Sequence, residues 1–304
     1  MPGSRPDSSV AASLRSFRRA DAPAVAALSR GALARLQDQV GNPVWRTLEE
    51  LDGELADWSP PPEDTLVVAE EDGEVVGFAG VELPAGFDHA ELFGPLVRPA
   101  ARGHKLGTHL LEASLERTRN AVGIASVVAS VGTRNPGGAI LLQRKGFRLR
   151  GKPQATYRLV QKDHRPVDEA PSEVTIRAGT PDDLAAVLEL YRECFPDGRF
   201  PDPVWRTTLE RGEVTVAEAR GEPVAFVTID PNDRWIYHAG VTGAERKRGV
   251  GAYLISSALG DYWAAHPGET LGLDVTADNV PAIRLYRRQG FAPWLVLQPY
   301  ELKL

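Results

Sequence analysis

The chain has 304 residues, 42% hydrophobic and 25% charged, with a formal net charge of −6. That length and composition suit about two globular domains with real cores, and the acidic balance argues against nucleic acid as a partner. The lone cysteine, Cys194, excludes an internal disulfide and a thiolate metal site, and no apolar run is long enough to span a membrane; no metal is expected.

Taken in chain order, residues 1–12 are small and polar, without the apolar centre of a secretion signal; they read as a disordered tail of a cytoplasmic protein. A strand over 14–18 enters a helix, and a variable, Pro-rich segment follows over 42–62. A hairpin comes next, its turn at Asp72-Gly73. A further strand leads to Arg102-Gly103-His104-Lys105-Leu106-Gly107, which opens a helix. Then come a strand over 125–131, a helix ending at Gly146, and a last strand over 156–160. Residues 163–172, rich in Pro and charge, read as a linker.

The same series then recurs. A strand over 174–177 meets a helix start marked by Thr180, Pro181, Asp182 and Asp183. A variable segment around 195–203 precedes a hairpin turning at Arg220-Gly221. A strand over 235–241 leads to Arg246-Lys247-Arg248-Gly249-Val250-Gly251 and an amphipathic helix over 251–265. A strand over 271–276, a helix ending at Gly290 and a strand over 299–304 close the chain. Gly146 and Gly290 suit the left-handed position after a helix.

The recurrence extends to residues. Pro43-Val44-Trp45-Arg46-Thr47 returns as Pro203-Val204-Trp205-Arg206-Thr207, and Val68-Ala69-Glu70 as Val216-Ala217-Glu218. Arg102, Gly107, Asn135 and Gly146-Phe147 return at one constant spacing as Arg246, Gly251, Asn279 and Gly290-Phe291. A repeat this long means duplicated domains, expected over 13–162 and 173–304. Trp45 and Trp205 recur with their neighbours, which favours a shared core role.

The loop at 246–251 has two physical readings. It is either a glycine turn with a basic surface or an anion cradle. Backbone N–H groups at a helix start converge on one spot, the helix dipole adds positive potential, glycine admits a bulky anion, and three cations supply countercharge. The pattern fits neither a Walker A loop nor the dinucleotide fingerprint.

Surrounding residues decide between them. Val241, Arg246-x-x-Gly249-x-Gly251, then Asn279, Ala282, Leu285-Tyr286 and Gly290-Phe291, together resemble the GCN5-related N-acetyltransferase (GNAT) superfamily. The resemblance covers both copies. It implies an α+β fold of two tandem domains, each a mostly antiparallel sheet flanked by helices, whose two parallel central strands splay to admit the pantetheine arm of acetyl-CoA. It implies acetyl transfer to a primary amine of a small molecule or peptide. A monomer or homodimer is expected. The tandem arrangement is similar to enzymes of the mycothiol synthase type, which act on a cysteinyl amine, and to tandem acetyltransferases found with antibiotic biosynthesis. A non-catalytic acetyl-CoA sensor is the alternative of another class.

Carried over residue by residue, the cofactor would meet Val241, Arg246, Lys247, Arg248, Gly249, Val250, Gly251, Ala252, Asn279 and Tyr286 in the second copy. The matching positions of the first are Val97, Arg102, Gly103, His104, Lys105, Gly107 and Thr108. Tyr286 stands where the family has its general acid, and a phenol near 10 can protonate a thiolate near 8.5. The base is open. Trp235 and Tyr237 occupy the positions at which several members carry Glu or His. Alternation along a strand groups 235, 237, 239 and 241 on one face and turns His238 away unless a bulge re-aims it. Tyr237 is the first candidate, His238 the second, and Asp233 a third. Asn279 suits a helix cap before Pro281, a pantetheine contact, or both. In the first copy Lys105 replaces Gly249 and Leu142 replaces Tyr286, so that copy reads as degenerate, although Glu91 sits eleven residues before Arg102. Acceptor contacts are expected over 195–211, where Asp197 and Asp202 are acidic, and over 294–299.

Overall fold

A computed structural model of the chain describes residues 12–56, 58, 60–119, 121–196, 198 and 200–304. The expected tail, apart from Ala12, lies outside the described residues, and so does Asp197.

The chain forms two compact units, one of Met1–Gly151 with Leu297–Leu304 and the other of Lys152–Val296. The first contains β1 (Ser13–Ser16), α1 (Ala22–Leu33), α2 (Leu48–Ala56), α3 (Pro62–Thr65), β2 (Leu66–Glu71), β3 (Glu74–Glu82), β4 (His89–Val97), α4 (Leu106–Thr118), β5 (Ser126–Gly132), α5 (Pro136–Arg144) and β6 (Arg148–Leu149). The second contains β7 (Gln154–Val160), β8 (Val174–Ala178), α6 (Leu184–Cys194), α7 (Asp202–Glu210), β9 (Val214–Ala219), β10 (Glu222–Asp230), β11 (Trp235–Val241), α8 (Val250–Ala265), β12 (Thr270–Thr276) and α9 (Val280–Arg288). The last strand, β13 (Ala292–Lys303), contributes residues to both.

Each unit is α+β, with an antiparallel sheet interrupted by one parallel pair. In the second unit the order is β7-β12-β11-β10-β9-β8. The parallel partners β11 and β12 meet only at Trp235 with Gly272 and Ile236 with Leu273. In the first unit β4 and β5 meet at His89 with Ser126, Ala90 with Val127 and Glu91 with Val128. Beyond these residues the two strands of each pair run on without pairing each other. The sheet's own residues thus open a splay beside each glycine loop.

The hairpin turns form as their residues dictate. Asp72 and Gly73 are both left-handed (φ 51° and 79°), as are Arg220 and Gly221 (57° and 82°), which matches the twist of the flanking strands. Helix α8 buries Val250, Leu254, Ile255 and Leu259 against Val227, Ile236, Leu271 and Leu273 on one face of its sheet. On the other face Tyr191, Trp205, Leu209, Val214, Val216 and Phe226 make a separate core under α6 and α7. Trp45 and Trp205 are 1% and 0% exposed, in equivalent places.

The final strands depart from the sequence reading, which closes each copy with its own. Strand β7, which ends the first sequence copy, pairs with β12 over Gln154 to Val160 in the second unit. Residues Leu297 to Lys303 of β13 pair antiparallel with β5 in the first, with Tyr300 buried there. Alternation specifies which face of a strand is apolar, not which equivalent sheet receives it. The presumed linker is also more ordered than its composition suggests. The Val167 N–H donates to Ser256 Oγ on α8 at 2.8 Å, and the Arg165 N–H to the carbonyl of Gln289 at 3.0 Å.

Candidate active site

The glycine loop of the second unit is shaped by its arginine. Arg246 Nε donates to the Val241 carbonyl at 3.0 Å, clamping the loop to the end of β11. Arg102 makes the same bond to Val97, also at 3.0 Å. Two left-handed residues follow in each loop: Lys247 (φ 65°) and Gly249 (φ 88°), against Gly103 (φ 93°) and Lys105 (φ 61°). Lys105 therefore preserves the backbone course that Gly249 supplies. Each is the N-cap of its helix and offers no side-chain acceptor, so the first-turn N–H groups at Val250, Gly251 and Ala252 face outward. In the first unit the Thr108 N–H bonds back to Lys105 at 2.9 Å.

The cations of the second loop are not equivalent. Arg248 pairs at 3.0 Å with Glu245, a buried carboxylate that also holds Arg220. Arg246 is engaged with Val241. Among the described residues Lys247 has no ion pair and is the loop's available countercharge. Gly251 is a packing glycine: a Cβ there would lie 3.1 Å from Val241 Cγ2. Val250 is buried, and the Ala252 carbonyl accepts from Gln289 Nε2 at 2.7 Å. His104, in the first loop, is exposed.

Tyr286 is buried on α9, edge-on to Phe291 at 5.6 Å, and burial pushes its hydroxyl up to about 12. Leu142 is buried at the matching place in the first unit. Asn279 caps α9, its Oδ1 accepting from the Ala282 N–H at 3.3 Å.

Strand β11 does not alternate as expected. Thr228 faces His238 and Ile229 faces Ile236 across β10, so Tyr237 is the extra residue of a bulge. Ile236, Ala239 and Val241 consequently share the face under α8. Tyr237 is 49% exposed, its hydroxyl donating to Asp233. His238 turns into a cage of Tyr191, Phe195, Phe200 and Trp205, with ring centroids 4.8–5.5 Å away. Burial holds its imidazole down to about 4, and Thr228 Oγ1 accepts from its backbone N–H at 3.0 Å. An imidazole so depressed is a weak proton acceptor. Phe195 and Phe200 thus line the cage, Asp202 is paired with Arg192 at 2.9 Å, and Trp294 lies under the Arg158 guanidinium at 3.6 Å.

The two splays differ sharply. In the first unit residues 39–42 lie between the parted strands. The Gly94 N–H of β4 donates to the Asn42 carbonyl at 2.8 Å, the Gly41 N–H to Ser130 of β5 at 2.7 Å, and the Gly132 N–H to Gln39 at 2.9 Å. Side chains fasten the insert, Asn135 Nδ2 donating to the Gln39 carbonyl and Asn42 Nδ2 to Glu91. Pro95 also leaves β4 without an N–H where β11 has Ala239. Among the described residues no such insert bonds to both β11 and β12. Sequence reasoning missed this insert, whose signal is only Gly41 amid polar residues. It also missed Asp274, an acid interrupting the apolar run of β12.

The fold matches that of solved GNAT proteins. A GCN5-related N-acetyltransferase from Sphaerobacter thermophilus has a TM-score of 0.76 at 22% identity, covering 96% of this chain and 95% of that one. A tandem GNAT protein of the clavulanic acid biosynthesis pathway has a TM-score of 0.64 at 19% identity, covering 96% and 98%. The Acetyltransferase (GNAT) family model matches residues 32–147 and 184–291, so the chain belongs to this family and is an N-acetyltransferase carrying the domain in tandem. A mycothiol acetyltransferase from Nocardia farcinica is 29% identical over 75% of this chain and 79% of its own length. Another, from Clavibacter michiganensis, is 27% identical over 74% and 76%. No helix among the described residues is long and apolar enough to cross a membrane.

Proposed function

We propose that the protein transfers the acetyl group of acetyl-CoA to a primary amine of a small molecule or peptide by direct attack, with the second unit catalytic and the first a non-catalytic copy. One observation carries this assignment: the splay beside the first loop holds residues 39–42 of the chain's own backbone, whereas no insert bridges β11 and β12 among the described residues. The outward N–H groups of α8 and Lys247 hold the pyrophosphate, and Arg246 shapes their loop. Backbone donors of β11 stabilise the oxyanion, a contribution that depends on donors being fixed before the reaction. Tyr286 protonates the leaving thiolate. A cytoplasmic monomer or homodimer fits this role.

The two mycothiol acetyltransferase relatives favour a narrower reading, transfer to a cysteinyl amine. The test is thiol release from acetyl-CoA across a panel of primary amines that includes cysteinyl compounds. Turnover with one amine class is expected. Tight acetyl-CoA binding without turnover on any amine would instead favour a sensor.

A further inference from the structure

Strand β12 exposes one residue, Asp274, between buried Leu273 and Val275. It is the first residue of β12 past the last parallel pair, Ile236 with Leu273, and so stands at the apex of the splay. Leu273 and Val275 turn into the core under α8, which directs Asp274 to the opposite face. On that face the Trp235 ring covers the neighbouring Gly272, where a Cβ would come within 2.0–2.8 Å of three indole atoms. Trp235 therefore walls one side of the position.

The carboxylate accepts a hydrogen bond from the hydroxyl of Thr156, a buried residue of β7 directly opposite it in register. Burial nevertheless pushes the Asp274 carboxyl above its ordinary value, with the Thr156 bond opposing. The carboxylate is thus exposed to solvent while held by Thr156 and flanked by the Trp235 ring. Among the described residues no Lys, Arg or His forms an ion pair with it. A carboxylate with no cation beside it gains from an ammonium group placed within a few ångströms. The first unit lacks both features: Ser130 holds the equivalent place, and a Cβ on Gly41 of the insert would lie 2.6 Å from Ser130 Cβ.

We propose that Asp274 binds the ammonium group of the acceptor at the splay apex and takes its proton, restricting acceptors to amines on neutral or cationic molecules. This rests on the second unit being the transferase site. The ammonium donates to the Asp274 carboxylate and passes it one proton, which goes on to solvent. The freed nitrogen lone pair forms the C–N bond to the thioester carbon, and the C–S bond breaks. The thiolate takes the Tyr286 proton, and the second proton leaving nitrogen restores the phenol. Neither Tyr237 nor caged His238 is then needed as the base.

The test uses the full chain saturated with CoA and titrated by calorimetry with spermidine, glucosamine and L-cysteinamide, alongside acetyl-CoA turnover with the same amines. For wild type at least one amine binds. In Asp274→Asn its affinity falls about tenfold or more and turnover about 100-fold or more, the range of a lost general base. Acetyl-CoA affinity and the unfolding midpoint stay as in wild type. The acid limb of the kcat/KM profile disappears in the variant, and Asp274→Glu regains part of the activity. Asp274→Ser, carrying the residue of the first copy, serves where Asn does not fold. Amine binding and turnover unaltered in these variants, or no amine binding to wild type, would overturn the inference. Binding through Asp274 without thiol release from any amine would leave the ammonium site standing and remove both its role as base and the transferase reading.

Discussion

Both glycine loops need two left-handed residues, and they fill them in opposite order. Lys247 precedes Gly249, whereas Gly103 precedes Lys105. A lysine in that region costs roughly 1–2 kcal/mol, which the Arg clamp to Val241 or Val97 must hold in place. Loss of Gly249's counterpart is therefore no sign of a lost loop; the filled splay and Leu142 are what set the first unit apart. At Tyr286 the environment favours the proton-bearing form. Burial holds the phenol at about 12, so it stays a donor throughout neutral pH. Tyr286→Phe is expected to lower kcat about 100-fold while leaving the acetyl-CoA Kd within about twofold, as for loss of a general acid. Wild-type kcat should show no alkaline fall below about pH 10, because a phenol at that value is still protonated there. Stopped-flow thiol release and calorimetry measure the two, and unchanged turnover in the variant would remove Tyr286 from the chemistry.

At the scale of elements, most of the fold was legible in residue order. The hairpin turns, the strand over Trp235–Val241 and the helix caps follow from local chemistry that acts within a few residues. The bulge at Tyr237 was not, because it depends on the partner strand, where Ile229 pairs with Ile236 and Thr228 with His238. That one extra residue sends His238 into an aromatic cage and leaves Tyr237 half exposed beside Asp233, so the two base candidates stand in opposite environments. Asp274 was illegible for a related reason: only the end of the parallel pair marks it as special.

The bulge has a consequence for stability. His238 is held at about 4 against 6.5, so as pH falls from 6.5 the unfolded chain binds a proton that the folded one refuses, and stability is lost. Glu213, its side chain 10% exposed, is raised by burial and by nearby Asp230 to about 7 against 4.5. There the unfolded carboxyl ionises first as pH rises above 4.5, and stability is lost with rising pH. Each contributes up to about 3 kcal/mol with opposite sign, so wild type should be nearly flat between pH 4.5 and 6.5. Glu213→Gln should leave stability rising with pH across that window, and His238→Phe should leave it falling. Urea unfolding at a series of pH values checks both, and parallel slopes in the two variants would refute the pairing.

The whole molecule places a limit on how the two copies can be separated. A cut within residues 163–172 follows the sequence repeat, yet the first unit includes Leu297–Leu304 and the second includes the strand Gln154–Val160. A fragment ending at residue 162 would keep a strand that belongs to the second sheet and lack the one that covers β5. Leu297 to Lys303 pair with β5 along its length, and Tyr300 and Leu302 pack on Val127, Ala129 and Phe147. Removing them would expose β5 as an unpaired apolar edge, the kind of surface that aggregates. The fragment is expected to be insoluble, and to recover when residues 297–304 are appended through a flexible linker. Within the full chain, Tyr300→Ala should cost about 3–5 kcal/mol, the usual range for truncating a large buried side chain. Hydrogen exchange should locate that loss in β5 and α5 of the first unit, not in α8 and α9. A soluble, cooperatively folded fragment ending at 162 would show that the exchanged strands are dispensable. Protection lost evenly from both units would show that their cores are one cooperative system.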